Sequence, residues 1–288
     1  MDIEIKGHSG CEIDVVKEGK KLFVYKSSYD PKYFERLIKQ AEKQREASIP
    51  EYQFIRVPKI LDIQKSSEKV SIKMDYVYSK NFVEFFEHAG FEQIQFLIDA
   101  LKMYIEKEIE KSPIVRINSE IIKNKFIDVY NKTLSNLLLG KDADVIEILN
   151  KSRLIFESVN DMEMPVGECH GDLTFSNILF NGNNYFLIDF LDSFIESPLL
   201  DIVKLRQDTA WLWSGLMYTK QFDSIRLKIA FEKIDNEIDS FFSEKYDWYN
   251  RYYDLLQLMN FLRILQYGKD KNVIDYLKTT INEQLQKF

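Results

Sequence analysis

Three polar side chains in the middle of the chain have the types and spacing that phosphate chemistry needs. Asp172 and Asn177 lie five residues apart in a loop, and two predicted short strands, Ile178–Phe180 and Tyr185–Phe190, then bring Asp189 beside them. One carboxylate and one amide oxygen can hold Mg²⁺, which usually also takes waters and substrate phosphates. The remaining carboxylate can receive a hydroxyl proton. This division of roles suits phosphoryl transfer, which depends mainly on positioning and charge neutralisation.

The first 78 residues have the pattern of a β-rich region with one helix. Asp30, as an N-cap, and Pro31, at the first helical position, predict a helix that runs to about Arg45. Strand-like runs bounded by turn residues predict five strands around it: Asp2–Lys6, Cys11–Lys17, Leu22–Ser27, Lys59–Ile63 and Val70–Tyr76. The predicted order is therefore three strands, one helix and two strands.

Long helices are predicted after about Ser79. Apolar residues recur every three or four positions from Phe91 to Ile109, which indicates a helix of some five turns. Further helices are predicted over Ser119–Leu138, Val145–Phe156 and, with breaks near Tyr218 and Gly268, Pro198–Leu285. The sequence thus predicts an α+β fold with two lobes. A small β-rich N-terminal lobe, residues 1–78, precedes a larger helical lobe, residues 79–288.

Composition limits the classes of function. The 288 residues contain 39 Lys and Arg against 46 Asp and Glu, a net charge of −7 that disfavours a nucleic-acid binder. The two cysteines form no metal-binding or disulfide pattern. The N-terminus has neither the basic nor the apolar segment of a signal peptide, and no apolar run approaches the ~18 residues that span a membrane. We therefore expect a cytoplasmic protein whose partner is neither nucleic acid nor membrane.

The central motif resembles that of a known family. His170-Gly171-Asp172, then Asn177, and then Ile188-Asp189-Phe190 look like the catalytic and metal loops of the aminoglycoside phosphotransferase/choline kinase family, the small-molecule branch of the protein-kinase-like fold. The resemblance implies that Asp172 is the catalytic base and that Asn177 and Asp189 hold Mg²⁺. It also implies that Leu179 lies under the adenine, that His170 braces the loop, and that Asp201 forms a hydrogen bond back to the catalytic loop.

The same resemblance assigns nucleotide-binding roles in the N-terminal lobe. Lys26, at the end of the third predicted strand, is expected to bind the α- and β-phosphates, with Glu42 as its ion-pair partner. Helical periodicity alone leaves Glu35 and Glu46 open as alternatives to Glu42. Other residues are expected to contact the nucleotide: Ser9 and Gly10 in a phosphate-binding loop over residues 7–10, and Met74, Asp75 and Val77 in a hinge at about residues 74–80.

The predicted reaction moves the γ-phosphoryl group of ATP, with GTP not excluded, to a hydroxyl group of a small molecule. A metabolic or cell-envelope sugar or amino alcohol is the preferred acceptor, with an aminoglycoside antibiotic as the first alternative. A nucleotide-binding pseudokinase or scaffold is the second. Four residues beyond the metal loop are candidates for acceptor binding: Asp192, Glu196, Asp208 and Trp211. The sequence leaves the oligomeric state open.

Overall fold

The computed structural model describes residues 11–50 and 52–288, so the predicted strand Asp2–Lys6 and the loop with Ser9 and Gly10 lie outside the described residues. Nine strands are described: β1 Glu12–Glu18, β2 Lys21–Ser28, β3 Ile55–Arg56, β4 Ile60–Lys65, β5 Val70–Asp75, β6 Ile114–Ile117, β7 Met162–Pro165, β8 Ile178–Asn181 and β9 Asn184–Leu187. Ten α-helices are described in the same residues: α1 Phe34–Ala47, α2 Phe82–Phe86, α3 Phe91–Lys111, α4 Ser119–Ser135, α5 Ala143–Glu157, α6 Pro198–Thr209, α7 Trp213–Leu216, α8 Ser224–Lys245, α9 Asp247–Leu265 and α10 Lys271–Leu285.

The chain divides into two compact units. Among the described residues, the first unit lies within residues 11–104 and 170–193, and the second consists of residues 105–169 and 194–288. This division differs from the predicted boundary near Ser79, because the β8–β9 hairpin associates with the N-terminal part of the chain. Strand β9 pairs in parallel with β3, and the backbones of Lys80 and Phe180 exchange two hydrogen bonds of 2.9 and 3.0 Å.

The first unit contains an antiparallel sheet in the order β1-β2-β5-β4, with α1 packed on one face. Apolar residues of α1 and of the sheet region form the core between them: Cys11, Phe34, Leu37, Ala41, Ile60, Val70, Ile72 and Met74. Helix α1 begins three residues later than the sequence predicts. Asp30 caps a turn instead, since its Oδ1 accepts a hydrogen bond from Lys32 N and its carbonyl accepts one from Tyr33 N.

The second unit is mainly helical. Its only sheet among the described residues is the antiparallel pair of β6 and β7, which are separated in sequence by α4 and α5. Helices α4 and α5 meet through the stacked rings of Phe126 and Phe156, and α6 packs on both α8 and α9. The predicted breaks near Tyr218 and Gly268 are present, and a further one at Tyr246 separates α8 from α9. None of the helices described in either unit has the length and apolar character needed to cross a membrane.

Candidate active site

The two predicted functional loops are joined by backbone hydrogen bonds within the first unit. A 3-10 turn over Phe175–Asn177 leads into β8, and Ile188 N donates to Asn177 O at 3.0 Å. The chain leaving β9 therefore runs beside the start of β8. Asn177 and Asp189 consequently lie on neighbouring segments, because Asp189 directly follows the bonded Ile188.

Asp172 and Asn177 are in direct contact. Asn177 Nδ2 donates to Asp172 Oδ2 at 2.9 Å and to Asp172 O at 2.8 Å. One amide group thus fixes both the backbone and the carboxylate of Asp172. Because Nδ2 is used for these bonds, the amide oxygen of Asn177 is the atom that can serve as a ligand for a cation.

His170 lies beneath this loop and is fully buried. Its Nε2 donates to Ile188 O at 2.8 Å, its Nδ1 accepts from Asp172 N at 3.2 Å, and its ring packs on Phe190 with 4.3 Å between centroids. This pattern assigns the neutral tautomer with the proton on Nε2. Burial lowers the pKa of His170 from its ordinary value of 6.5 to about 4. His170 therefore links the two loops as a neutral side chain.

Gly171 occupies a position that no other residue fits. Its φ is +87°, and a Cβ placed there would lie 2.0 Å from the Leu191 carbonyl oxygen. That carbonyl also accepts a hydrogen bond from Lys43 Nζ at 2.6 Å, and Leu191 N donates to His170 O at 3.0 Å. The backbone after the metal loop therefore packs directly on the backbone before Asp172.

Lys26 and Asp189 form the closest charge pair of the site. Lys26 Nζ lies 2.8 Å from Asp189 Oδ1, and Lys26 is only 6% exposed. Burial disfavours the charged ammonium, but the Asp189 carboxylate outweighs that effect, and the pKa of Lys26 is raised. Asp189 itself has a φ of +60°. Left-handed backbone at a non-glycine residue carries strain and is concentrated at functional sites.

The predicted ion pair between Lys26 and Glu42 is wrong. Glu42 is exposed on α1, as is Glu46, whereas Glu35 accepts a hydrogen bond from Lys65. The face of α1 that lines a cavity with Lys26 consists of Leu37, Gln40, Ala41 and Gln44. The physical reason is the rotation of the helix: residues 37, 40, 41 and 44 form one stripe against the sheet, and residue 42 falls outside it.

The predicted hinge residues lie at the end of β5 in the first unit. Met74 is buried, lines the cavity around Lys26 and is within 3.9 Å of Gln44 Nε2. Asp75 N donates to Lys59 O at 3.1 Å, and Val77 O accepts from Ser79 Oγ. Leu179 pairs with Phe186 across the β8–β9 hairpin. The nucleotide-binding roles of Met74, Asp75, Val77 and Leu179 remain predictions.

The residues predicted to bind the acceptor have different environments. Asp192 is exposed, in the first unit, and binds Arg36 Nε at 3.3 Å. In the second unit, Glu196 accepts from Cys169 Sγ at 3.0 Å, and Trp211 is half-buried with its ring edge against Phe261. Asp201 is buried in the first turn of α6. Its predicted bond to the catalytic loop remains a prediction.

Asp208 requires a correction. Its side chain is fully buried, and its two carboxylate oxygens accept from Ser214 N and Ser214 Oγ, each at 2.9 Å. In the segment between Asp208 and Ser214, Leu212 has a φ of +56°, an unfavourable conformation for a bulky residue. Asp208 therefore holds the turn between α6 and α7 and presents no carboxylate to an acceptor.

The donor set fits a magnesium ion that is bound jointly by protein and substrate. The Asn177 amide oxygen and the Asp189 carboxylate are hard ligands on neighbouring segments, as Mg²⁺ prefers. No group of three or more His, Cys, Asp or Glu side chains suited to a metal is found in residues 11–50 and 52–288. That finding agrees with a site where phosphate oxygens and waters would supply the remaining ligands.

A comparison with known protein families agrees with this geometry. Residues 129–223 match the model of the phosphotransferase enzyme family, APH, and therefore include all of the catalytic and metal loops. A search of the curated proteins finds no significant match to the sequence. The resemblance predicted from the central motif is confirmed by the match of this family model to residues 129–223.

Several solved structures share the fold. APH(2")-IIia in complex with GDP and kanamycin has 15% sequence identity and a TM-score of 0.61, over 99% of this chain and 95% of that one. The amicoumacin kinase hAmiN, in complex with AMP-PNP, Ca²⁺ and Ami, has 11% identity and a TM-score of 0.61, over 98% and 87%. A thermostable mutant of APH(4)-Ia with ADP and hygromycin B has 10% identity and a TM-score of 0.58, over 98% and 92%. The predicted α+β, protein-kinase-like fold is confirmed.

Proposed function

We propose that this protein is a small-molecule kinase that transfers the γ-phosphoryl group of ATP to a hydroxyl group of its acceptor. The observation that carries the proposal is the constellation of Asp172, Asn177, Asp189 and Lys26 within one unit. The Asn177 amide binds the Asp172 carboxylate at 2.9 Å, and Lys26 lies 2.8 Å from Asp189. A general base, a phosphate-binding cation and two hard ligands are the groups that phosphoryl transfer requires.

In this proposal each residue has a separate task. Asp172 orients the acceptor hydroxyl and takes its proton, while Asn177 Nδ2 keeps the carboxylate in one orientation. Lys26 binds phosphate oxygens. The Asn177 amide oxygen and Asp189 would hold Mg²⁺, which neutralises phosphate charge when it is bound. His170 stays neutral and keeps the Asp172 loop next to Ile188.

The acceptor class is the finer part of the proposal. We infer a sugar or an amino alcohol, because the reaction needs a hydroxyl group and the chain has a net charge of −7, which suits a neutral or cationic acceptor. Two of the solved structures that share the fold have kanamycin or hygromycin B in their complexes. An aminoglycoside is therefore the second candidate for the acceptor.

The test is a screen of Mg·ATP consumption over sugars, amino alcohols, choline and aminoglycosides. We expect one of these classes to raise ADP formation well above the acceptor-free rate, and the Asp172→Asn variant to abolish that increase. Nucleotide binding without any acceptor-dependent turnover would instead favour the pseudokinase alternative. Failure to bind Mg·ATP at all would exclude both.

A further inference from the structure

Lys26 depends on Asp189 for its negative partner. The cavity around its ammonium group is lined by Leu37, Gln40, Ala41, Gln44, Ile60, Ile72, Met74, Asp189 and Phe190, and Asp189 supplies the single carboxylate of that lining. Helix α1 contributes only neutral side chains to it. Lys26, which is only 6% exposed, is thus held by the Asp189 carboxylate, the same group that the proposed function assigns to a metal ion.

Gln40 is the polar group of α1 that shares this cavity while lacking a full set of hydrogen bonds. It is 5% exposed, its Oε1 accepts from the Tyr33 hydroxyl at 3.3 Å, and its Nε2 finds no acceptor among the described residues. Buried amides normally satisfy both ends. A half-turn of the amide would let Nε2 donate to the Tyr33 oxygen. It would also place Oε1, a hydrogen-bond acceptor, where Nε2 now lies, in the cavity that Lys26 also lines.

We propose that Gln40 is the positioning residue of Lys26. Because the Gln40 amide is neutral, Asp189 stays the negatively charged partner of Lys26 until a nucleotide phosphate takes the place of Asp189. This inference rests on the proposed function. An ammonium group 2.8 Å from the carboxylate repels a divalent cation at Asp189. When nucleotide phosphates attract Lys26, the Gln40 oxygen accepts from it and Asp189 becomes available. Cation and nucleotide binding are therefore coupled, and each strengthens the other.

The test measures binding of Mn²⁺ by titration calorimetry, alone and with ADP. Gln40→Glu gives Lys26 a second anion and releases Asp189. We expect Mn²⁺ alone to bind about five- to tenfold more tightly than in the wild type, and the gain from ADP to shrink by the same factor. Lys26→Met removes the competing cation and should strengthen binding of Mn²⁺ alone in the same way. It keeps the inference testable if Gln40→Glu fails to fold.

Lys39→Met is the matched control, because Lys39 is exposed on the same helix and its loss changes the net charge by the same unit. We expect it to leave Mn²⁺ affinity unchanged. The inference is overturned if either Gln40→Glu in folded form or Lys26→Met binds Mn²⁺ alone as the wild type does, or if Lys39→Met produces an equal gain. If the wild type binds no ADP even with Mn²⁺ present, the proposed function itself fails. Normal ADP binding with unresponsive variants rejects only the inference about Gln40.

Discussion

Individual contacts decide how the two carboxylates of the site are oriented. Asp172 is held by an amide, whereas Asp189 is held by a buried ammonium group in a strained backbone conformation. The two carboxylates therefore have different environments although both belong to one loop system. That difference supports the proposal that one receives a proton and the other binds a cation.

The role of Asp172 can be separated from nucleotide binding. Asp172→Asn keeps the size of the side chain but removes the base, and we expect kcat to fall by about 10²–10⁴-fold with nucleotide affinity nearly unchanged. Steady-state kinetics with the acceptor, together with ADP calorimetry, check this. Asp14→Asn, an exposed change of the same chemistry, should leave both quantities at wild-type values. Near-full kcat in Asp172→Asn would show that another group is the base.

His170 makes stability depend on pH. Its pKa is about 4 in the folded protein and near 6.5 when exposed, so between these values the unfolded chain binds a proton that the folded chain does not. Its contribution to stability is complete above about pH 6.5 and is lost as the pH falls toward 4. The loss is roughly 3 kcal/mol, at 1.36 kcal/mol for each pKa unit.

Urea unfolding between pH 4 and 7.5 measures this effect. We expect His170→Asn to be less stable at neutral pH. Its free energy of unfolding should also fall less steeply than that of the wild type as the pH is lowered, because no buried histidine takes up a proton on unfolding. His88→Gln, at an exposed histidine, should retain the wild-type slope. Equal slopes in all three proteins would contradict the assignment of a buried, neutral His170.

At the scale of elements, helix α1 shows what the sequence could and could not predict. Its existence was predictable from the spacing of Phe34, Leu37 and Ala41, and the four strands of its sheet were predictable from their turn residues. The face directed at Lys26 was predicted incorrectly. Acidic residues were sought as ion-pair partners, whereas Gln40 and Gln44 complete the stripe of buried residues.

The catalytic and metal loops were more predictable than α1, because the functional residues of each loop lie within one short segment of sequence. The spacing of Asp172, Asn177 and Asp189 required a hairpin, and Gly182 with φ +57° gives that hairpin its two-residue turn. Contacts between distant segments had no local signal. The bond from Lys43 to the Leu191 carbonyl and the burial of Asp208 depend on packing that no single segment specifies.

The close packing of the two loops predicts a large effect at Gly171. In Gly171→Ala the new Cβ would displace the Leu191 carbonyl and break its bond to Lys43, so we expect a loss of several kcal/mol in stability, in the range of exceptional point mutants. Gly182→Ala is the control, because that glycine also has positive φ but nothing lies within 4 Å of the added Cβ. It should cost only about 1–2 kcal/mol. Thermal or urea unfolding compares them, and similar losses would contradict the packing argument.

At the scale of the whole molecule, the residues proposed to bind the nucleotide phosphates and the metal are unevenly distributed between the two units. Lys26, Asn177 and Asp189 all belong to the first unit, together with the β2–β5 sheet and α1. A ligand that binds only the folded form stabilises by about 2.7 kcal/mol at a hundredfold excess over its Kd. Because local opening reactions differ between parts of a protein, that stabilisation can be located along the chain by hydrogen exchange.

We therefore expect Mg·ATP to slow amide exchange mainly in β2, α1 and residues 170–193, with smaller changes in α8 and α10, since the first unit holds the phosphate-binding cation and the metal ligands. Hydrogen-exchange mass spectrometry with Mg·ATP, with Mg²⁺ alone and with ATP plus EDTA measures this. EDTA should remove most of the protection, and Lys26→Met should reduce it while the matched variant Lys39→Met retains it. Protection that is confined to the second unit, or that survives EDTA unchanged, would show that the nucleotide binds elsewhere or without the metal.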